Sequence, residues 1–191
     1  MFALNDCTSQ ADDSPDLEVF NRSLDDSQRD AVTFAQSQTE FCIIHGPPGT
    51  GKTTALVEII RQEVAGKRKV LFSGPSNIAV DNMTERLALA GCSVVRLGHP
   101  ARVTEGCREH TLEAKFVLQY GVVRDLEAQM KLFPQIHSRQ SEVGQKLKEE
   151  KGNLERLIAK CLEEADVVLG TLVTCGKGIH DIGMTVITCS S

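Results

Sequence analysis

A chain of 191 residues, 41% hydrophobic and 25% charged, is long enough for one domain with a substantial core. Its net charge of −5 excludes a protein that coats nucleic acid by bulk positive charge, so any nucleic-acid site has to be a local groove. With no Trp and a single Tyr, aromatic stacking surfaces are scarce.

In chain order, residues 1–19 carry Asp6, Asp12, Asp13, Asp16 and Glu18 without Lys or Arg, which predicts a solvated, disordered lead-in. Ser23-Leu24-Asp25-Asp26-Ser27-Gln28 then precedes Ala31, Val32 and Ala35 at helical spacing, with Ser23 or Asp25 as the N-cap. Gln28 has two readings. It is a solvated helix residue, or its amide pairs bidentately with the N6/N7 edge of an adenine. Phe41 to Ile44 is a short apolar run that predicts a buried strand.

Gly46-Pro47-Pro48-Gly49-Thr50-Gly51-Lys52-Thr53 follows at once, matching G-x-x-x-x-G-K-[ST], the phosphate-binding P-loop. Its glycines let successive N–H groups turn inward onto phosphate oxygens, and the helix predicted over Thr53 to Glu63 adds its positive end. Lys52 is placed to reach the β- and γ-phosphates as a point charge, and the Thr53 hydroxyl to ligate Mg²⁺. The nucleotide candidates are therefore Gly46, Pro47, Pro48, Gly49, Thr50, Gly51, Lys52, Thr53 and Thr54. Lys52 and Thr53 are also the catalytic candidates, and the implied ligands are ATP and Mg²⁺.

Lys69 to Ser73 predicts a second strand, Ile78 to Ala90 an amphipathic helix and Ser93 to Leu97 a third strand. Strands alternating with helices indicate an α/β fold, a parallel sheet with helices on both faces. Ligands of such sheets sit beyond the carboxyl ends of the strands, which gathers Ser76, Asn77, His99 and Arg102 near the P-loop. From Thr111 the pattern changes. Leu112, Phe116, Val123, Leu126 and Met130 step at helical spacing, as do Val143, Leu147, Leu154, Ile158, Cys161 and Ala165. Two long helices joined near Pro134 to Ser138 predict an antiparallel hairpin inserted over residues 111–165, between a first part at 20–110 and a return at 166–191. Asp166 to Gly170 returns the chain to the sheet, and Met184 to Thr188 reads as one more strand.

The seven cysteines, Cys7, Cys42, Cys92, Cys107, Cys161, Cys175 and Cys189, form no C-x-x-C pair and are odd in number. They read as reduced thiols of a cytoplasmic or nuclear protein. His99, Cys107 and His110 are the grouping nearest to a metal cluster, but they offer three ligands at irregular spacing. The N-terminus does not read as a secretory signal, and no apolar run approaches the ~20 residues that span a bilayer.

Leu24 to Gln28, the P-loop, GPSNIAVDNMTERLA (74–88) and VVRLGHPAR (94–102), in this order, resemble superfamily 1B helicases. The likeness is to the branch of immunoglobulin mu-binding protein 2 and the nonsense-decay helicases, over roughly residues 20–176. Ser-Asn-Ile-Ala-Val-Asp-Asn discriminates best, because GPPGTGKT also occurs in AAA-type ATPases. The resemblance implies a RecA-like domain, ATP-driven 5′-to-3′ movement on single-stranded DNA or RNA, and Gln28 as the adenine reader. Asp25 stands where that family commonly has Asn. It further implies that Pro75, Ser76 and Asn77 touch the backbone of a bound strand, with a turn and helix cap as the other reading. Asp81 and Asn82 read as helix-surface or packing residues. Arg96 and Arg102 divide evenly between surface salt bridges and nucleic-acid contacts, and Thr171 and Thr174 between strand contacts and capping. A helical stalk is implied for the hairpin.

An ATPase of this kind needs an apolar strand ending in Asp-Glu, to hold Mg²⁺ and to position water. Met184 to Thr188 runs instead into Cys189-Ser190-Ser191, and residues 177–191 match the family poorly. The expectation is a truncated domain that binds ATP without unwinding. The alternatives are another P-loop ATPase of AAA type, or a non-enzymatic binding module produced as a splice form.

Overall fold

A computed structural model of the chain describes residues 3–4, 19–38, 41–132, 137–176 and 184–188. In chain order its elements are β1 (Ala3–Leu4), α1 (Asp26–Ser37), β2 (Ile44–His45), α2 (Lys52–Ala65), β3 (Val70–Gly74), α3 (Asn77–Leu89) and β4 (Val94–Arg96). After two 3-10 turns come α4 (Leu112–Lys115), α5 (Val117–Leu132), α6 (His137–Glu164), β5 (Val167–Thr171), α7 (Leu172–Cys175) and β6 (Thr185–Thr188).

Four of these strands form a sheet in the order β4-β5-β3-β6, every neighbouring pair parallel. β3 is buried throughout and apolar but for Ser73, as befits a strand whose sheet is covered on both faces. Successive side chains point to opposite faces and sort into two clusters. On one face Val70, Phe72, Val94, Val167 and Leu169 pack with Ile60 of α2 and Val80, Met83 and Leu87 of α3. On the other, Leu71, Val95, Leu97 and Val168 pack with Ala165, Leu112, Cys161 and Leu162. The predicted parallel sheet with helices on both faces is what the chain forms.

Asp25 caps α1, its carboxylate accepting the Gln28 N–H at 2.8 Å while the Gln28 side chain accepts the Asp25 N–H at 3.2 Å. Ala31 and Val32 are the buried residues of α1, and with Leu24 the helix packs on Ala55 and Ile59 of α2. At its other end α2 is tied by Glu63, which accepts hydrogen bonds from Arg68, from Gln36 of α1 and from Thr185 of β6.

The P-loop strand differs from expectation. It is confined to Ile44–His45, pairs antiparallel with β1, and leaves Phe41 67% and Ile43 58% exposed. Ile44 alone packs inward, on the α1–α2 cluster that also receives Ile187 of β6. A strand covered on one face buries alternate residues, so the apolar run reads as more buried than it is. Of the acidic lead-in, residues 1–2 and 5–18 lie outside the described residues, and Ala3–Leu4 is a strand.

The excursion between β4 and β5 packs α5 on α6, with Lys151 pairing with Glu127 at 2.6 Å. Its first helix is broken at Phe116, whose backbone (φ −124°, ψ 37°) separates α4 from α5. The junction at 133–136, residues 177–183 and the terminal 189–191 lie outside the described residues.

Candidate nucleotide and nucleic-acid site

The loop between β2 and α2 is built from main chain. Gly49 (φ 84°) and Gly51 (φ 75°) take left-handed conformations that other residues adopt only with strain. A Cβ on Gly49 would meet nothing within 4 Å, whereas one on Gly51 would lie 2.2 Å from Gln28 Nε2. Gly51 stands at the N-cap, and among the described residues no side chain caps α2, which leaves its positive end to an anion. α2 closes five positions before β3 opens and packs along the sheet, so its N-terminus points towards the carboxyl ends of the strands.

Lys52 Nζ donates to the Gly46 carbonyl at 2.6 Å and the Pro47 carbonyl at 2.9 Å. The ammonium therefore lies over the loop on neutral acceptors, which a phosphate, as a charged acceptor, would outbid. Thr50 Oγ1 also donates to the Pro47 carbonyl, Thr53 is exposed, and Pro48 sits at the exposed tip. Thr54 is half-buried at the first turn of α2. Gln28 does not stand in solvent. Its Nε2 donates to the Thr50 carbonyl at 3.1 Å, so α1 is fastened to the loop by the amide that also closes its own cap. The Gln28 N–H and the Ser27 hydroxyl hold the Asp25 carboxyl below its ordinary range.

The residues fit a triphosphate: a left-handed glycine turn, an uncapped helix start and one ammonium on exchangeable partners. For Mg²⁺ the loop offers the Thr53 hydroxyl. Among the described residues, no group of three or more His, Cys, Asp and Glu is arranged to hold a metal ion. The Cys107 thiol is buried and donates to the Asp81 carbonyl at 3.3 Å.

At the carboxyl ends of β3 and β5, Gly74 is in register with Thr171, which sets Pro75, Ser76 and Asn77 beside Thr171. Pro75 and Ser76 are exposed, and Ser76 caps α3 by accepting the Ala79 N–H at 3.2 Å. Thr171 and Thr174 share a hydrogen bond at 2.9 Å. Arg102 is exposed at the end of the turn Pro100–Arg102, whose start is capped by His99 Nδ1.

Arg96 departs from both readings made of it. It is neither a surface ion pair nor a strand contact, for its side chain is 0% exposed. Its Nε donates to Asp81 Oδ1 at 2.8 Å, Nη2 to Asn77 Oδ1 at 3.0 Å, and Nη1 to the Leu97 carbonyl. Asp81 is a packing residue, and its Oδ2 accepts the Thr104 N–H at 2.9 Å. Sequence reasoning also passed over Ile78, Leu172 and Val173, which are exposed at 69%, 54% and 71% beside the Ser76 and Thr171 hydroxyls. Apolar residues directly after two adjacent strand ends were the available signal.

A family model described as an AAA domain matches residues 23–131, more than half of the chain. Over 175 residues, 85% of the chain, it is 44% identical to DNA-binding protein SMUBP-2 of Rattus norvegicus and 45% identical to that of Mus musculus. Over 98 residues, 51% of the chain, it is 49% identical to DNA polymerase alpha-associated DNA helicase A of Schizosaccharomyces pombe. The chain belongs to the AAA domain family, in its superfamily 1 helicase branch. The chain spans 18% of the length of the SMUBP-2 proteins and 15% of that of the yeast helicase. The matched region takes in the P-loop, Gln28, the Arg96–Asp81 pair and most of α5, so the candidate nucleotide residues lie inside it.

Proposed function

We propose that this domain binds Mg-ATP on the P-loop and lays single-stranded nucleic acid across the loops that follow β3, β4 and β5. In a protein of its relatives' length, ATP turnover would drive 5′-to-3′ movement along that strand. The observation that carries the reading is Lys52, whose ammonium rests on the carbonyls of Gly46 and Pro47 at the uncapped start of α2. On nucleotide binding it trades two neutral acceptors for phosphate oxygens, while the N–H groups of residues 49–54 close around them. The Thr53 hydroxyl would help hold Mg²⁺, and the ion would supply positive charge to offset that of the nucleotide's phosphates. Gln28, already seated on the loop, is the group that faces an adenine once it releases the Thr50 carbonyl. Pro75, Ser76, Asn77, Arg102 and Thr171 contact the strand's backbone without reading its bases.

Titration calorimetry with Mg-ATP tests the nucleotide site. Lys52→Ala is expected to weaken binding by at least about tenfold, the loss of one charge-assisted contact. Equal binding by both proteins removes the assignment.

A further inference from the structure

The two loops proposed to meet a nucleic-acid strand both rest on one buried ion pair. Asn77 opens α3 on the β3 side, and Thr104 ends the loop that carries His99 and Arg102 on the β4 side. Arg96 reaches the first through Nη2, and Asp81 holds the second through Oδ2. Between them the guanidinium and the carboxylate bond directly, at 2.8 Å and almost wholly buried.

A guanidinium has five donors and no acceptor, so only the oxygen of an Asn amide can face it. With Oδ1 turned to Arg96, the Asn77 Nδ2 donors are directed away from the buried cation. A free Asn side chain presents either end of its amide; this one presents a fixed end. We propose that Arg96 is a positioning residue for strand binding, which locks the Asn77 amide with its donor group outward to a phosphate oxygen and, through Asp81, sets the 98–104 loop in the same frame. The inference rests on the reading that these loops face single-stranded nucleic acid.

Arg96 touches no strand in this arrangement, so its effect must pass through Asn77. Asn77→Asp separates the roles. The carboxylate still accepts from Arg96, so the fold is retained, but it offers an acceptor where the amide offered donors. Anisotropy of short fluorescein-labelled poly-dT and poly-rU strands titrated with the whole chain is the readout, with thermal melts alongside. Asn77→Asp is expected to melt no lower than the parent and to bind strands about tenfold more weakly or worse. Arg96→Lys keeps a charge opposite Asp81 but lacks the fork that bridges to Asn77. It is expected to lose affinity in the parent and to lose little more in an Asn77→Ala background, the coupling a double-mutant cycle detects.

Undiminished strand binding by Asn77→Asp, or equal losses from Arg96→Lys in both backgrounds, overturns the positioning role. Arg102→Glu, which touches neither partner of the pair, reports on the site itself. If it weakens binding and Asn77→Asp does not, the strand site stands and the positioning inference falls. If the parent binds no strand, or Arg102→Glu changes nothing, the site reading fails and takes the inference with it.

Discussion

The P-loop and the corner after β3 both present hydrogen-bond donors beyond a strand end, yet they are held by opposite means. The P-loop takes its shape from main chain: two left-handed glycines, a helix start, and an ammonium bound to its own loop carbonyls. The β3 corner takes its shape from side chains of α3 and β4, with Arg96 and Asp81 buried fifteen positions apart in sequence. A contiguous main-chain site tolerates almost any surroundings and is sensitive to a single Cβ. A side-chain site tolerates change at its rim and is sensitive to losing one buried charge.

That contrast can be broken by mutation. Asp81→Ala leaves the Arg96 guanidinium buried without its counter-charge, and chemical denaturation is expected to report a loss of about 3–5 kcal/mol. The P-loop, which shares no partner with it, should still bind nucleotide in whatever fraction remains folded. Gly51→Ala asks a residue with a side chain to hold φ 75° and to displace the Gln28 amide. Its expected cost is smaller, about 1–3 kcal/mol, but calorimetry should find nucleotide binding lost. A stability loss for Gly51→Ala exceeding that of Asp81→Ala would invert the comparison.

The smallest effect concerns Glu63. Burial alone would push its carboxyl up, but hydrogen bonds from Arg68 and Gln36, the Arg68 charge and the Thr185 hydroxyl outweigh it and hold the carboxyl below its ordinary value. A carboxylate depressed on folding contributes stability that is fully present above the unfolded-state value near 4.5. That contribution drains away as pH falls through the folded value. Melting temperature should therefore fall on acidification below about 4.5, and less steeply in Glu63→Gln, because that variant has no proton to take up. Parallel acid profiles would remove Glu63 from the account.

The elements were readable because apolar runs and helical spacing coincide with burial for β3, β5, α2 and α3. The P-loop was readable because its chemistry lies in consecutive residues. What escaped were the positions decided by neighbours distant in sequence. Arg96 interrupts the apolar run Val94 to Leu97 and reads locally as a surface residue, though a charge inside a doubly covered strand asks for a buried partner. Asp81, between Val80 and Met83 on the inner side of α3, was that partner. Phe41 and Ile43 read as core because their run is apolar, and nothing local reveals which flank of a strand goes uncovered. The break at Phe116 is a single residue's backbone, below the reach of periodicity.

The strand order β4-β5-β3-β6 has a consequence for how the domain comes into being. β5 lies between β3 and β4, yet it is synthesised after the whole helical excursion from 112 to 164. Until residue 167 leaves the ribosome, β3 and β4 have no shared neighbour and the ladder stays open at its centre. A nascent or proteolysed chain ending anywhere in the excursion would carry an intact P-loop motif on an unclosed sheet. Assembly therefore waits on the arrival of one five-residue segment.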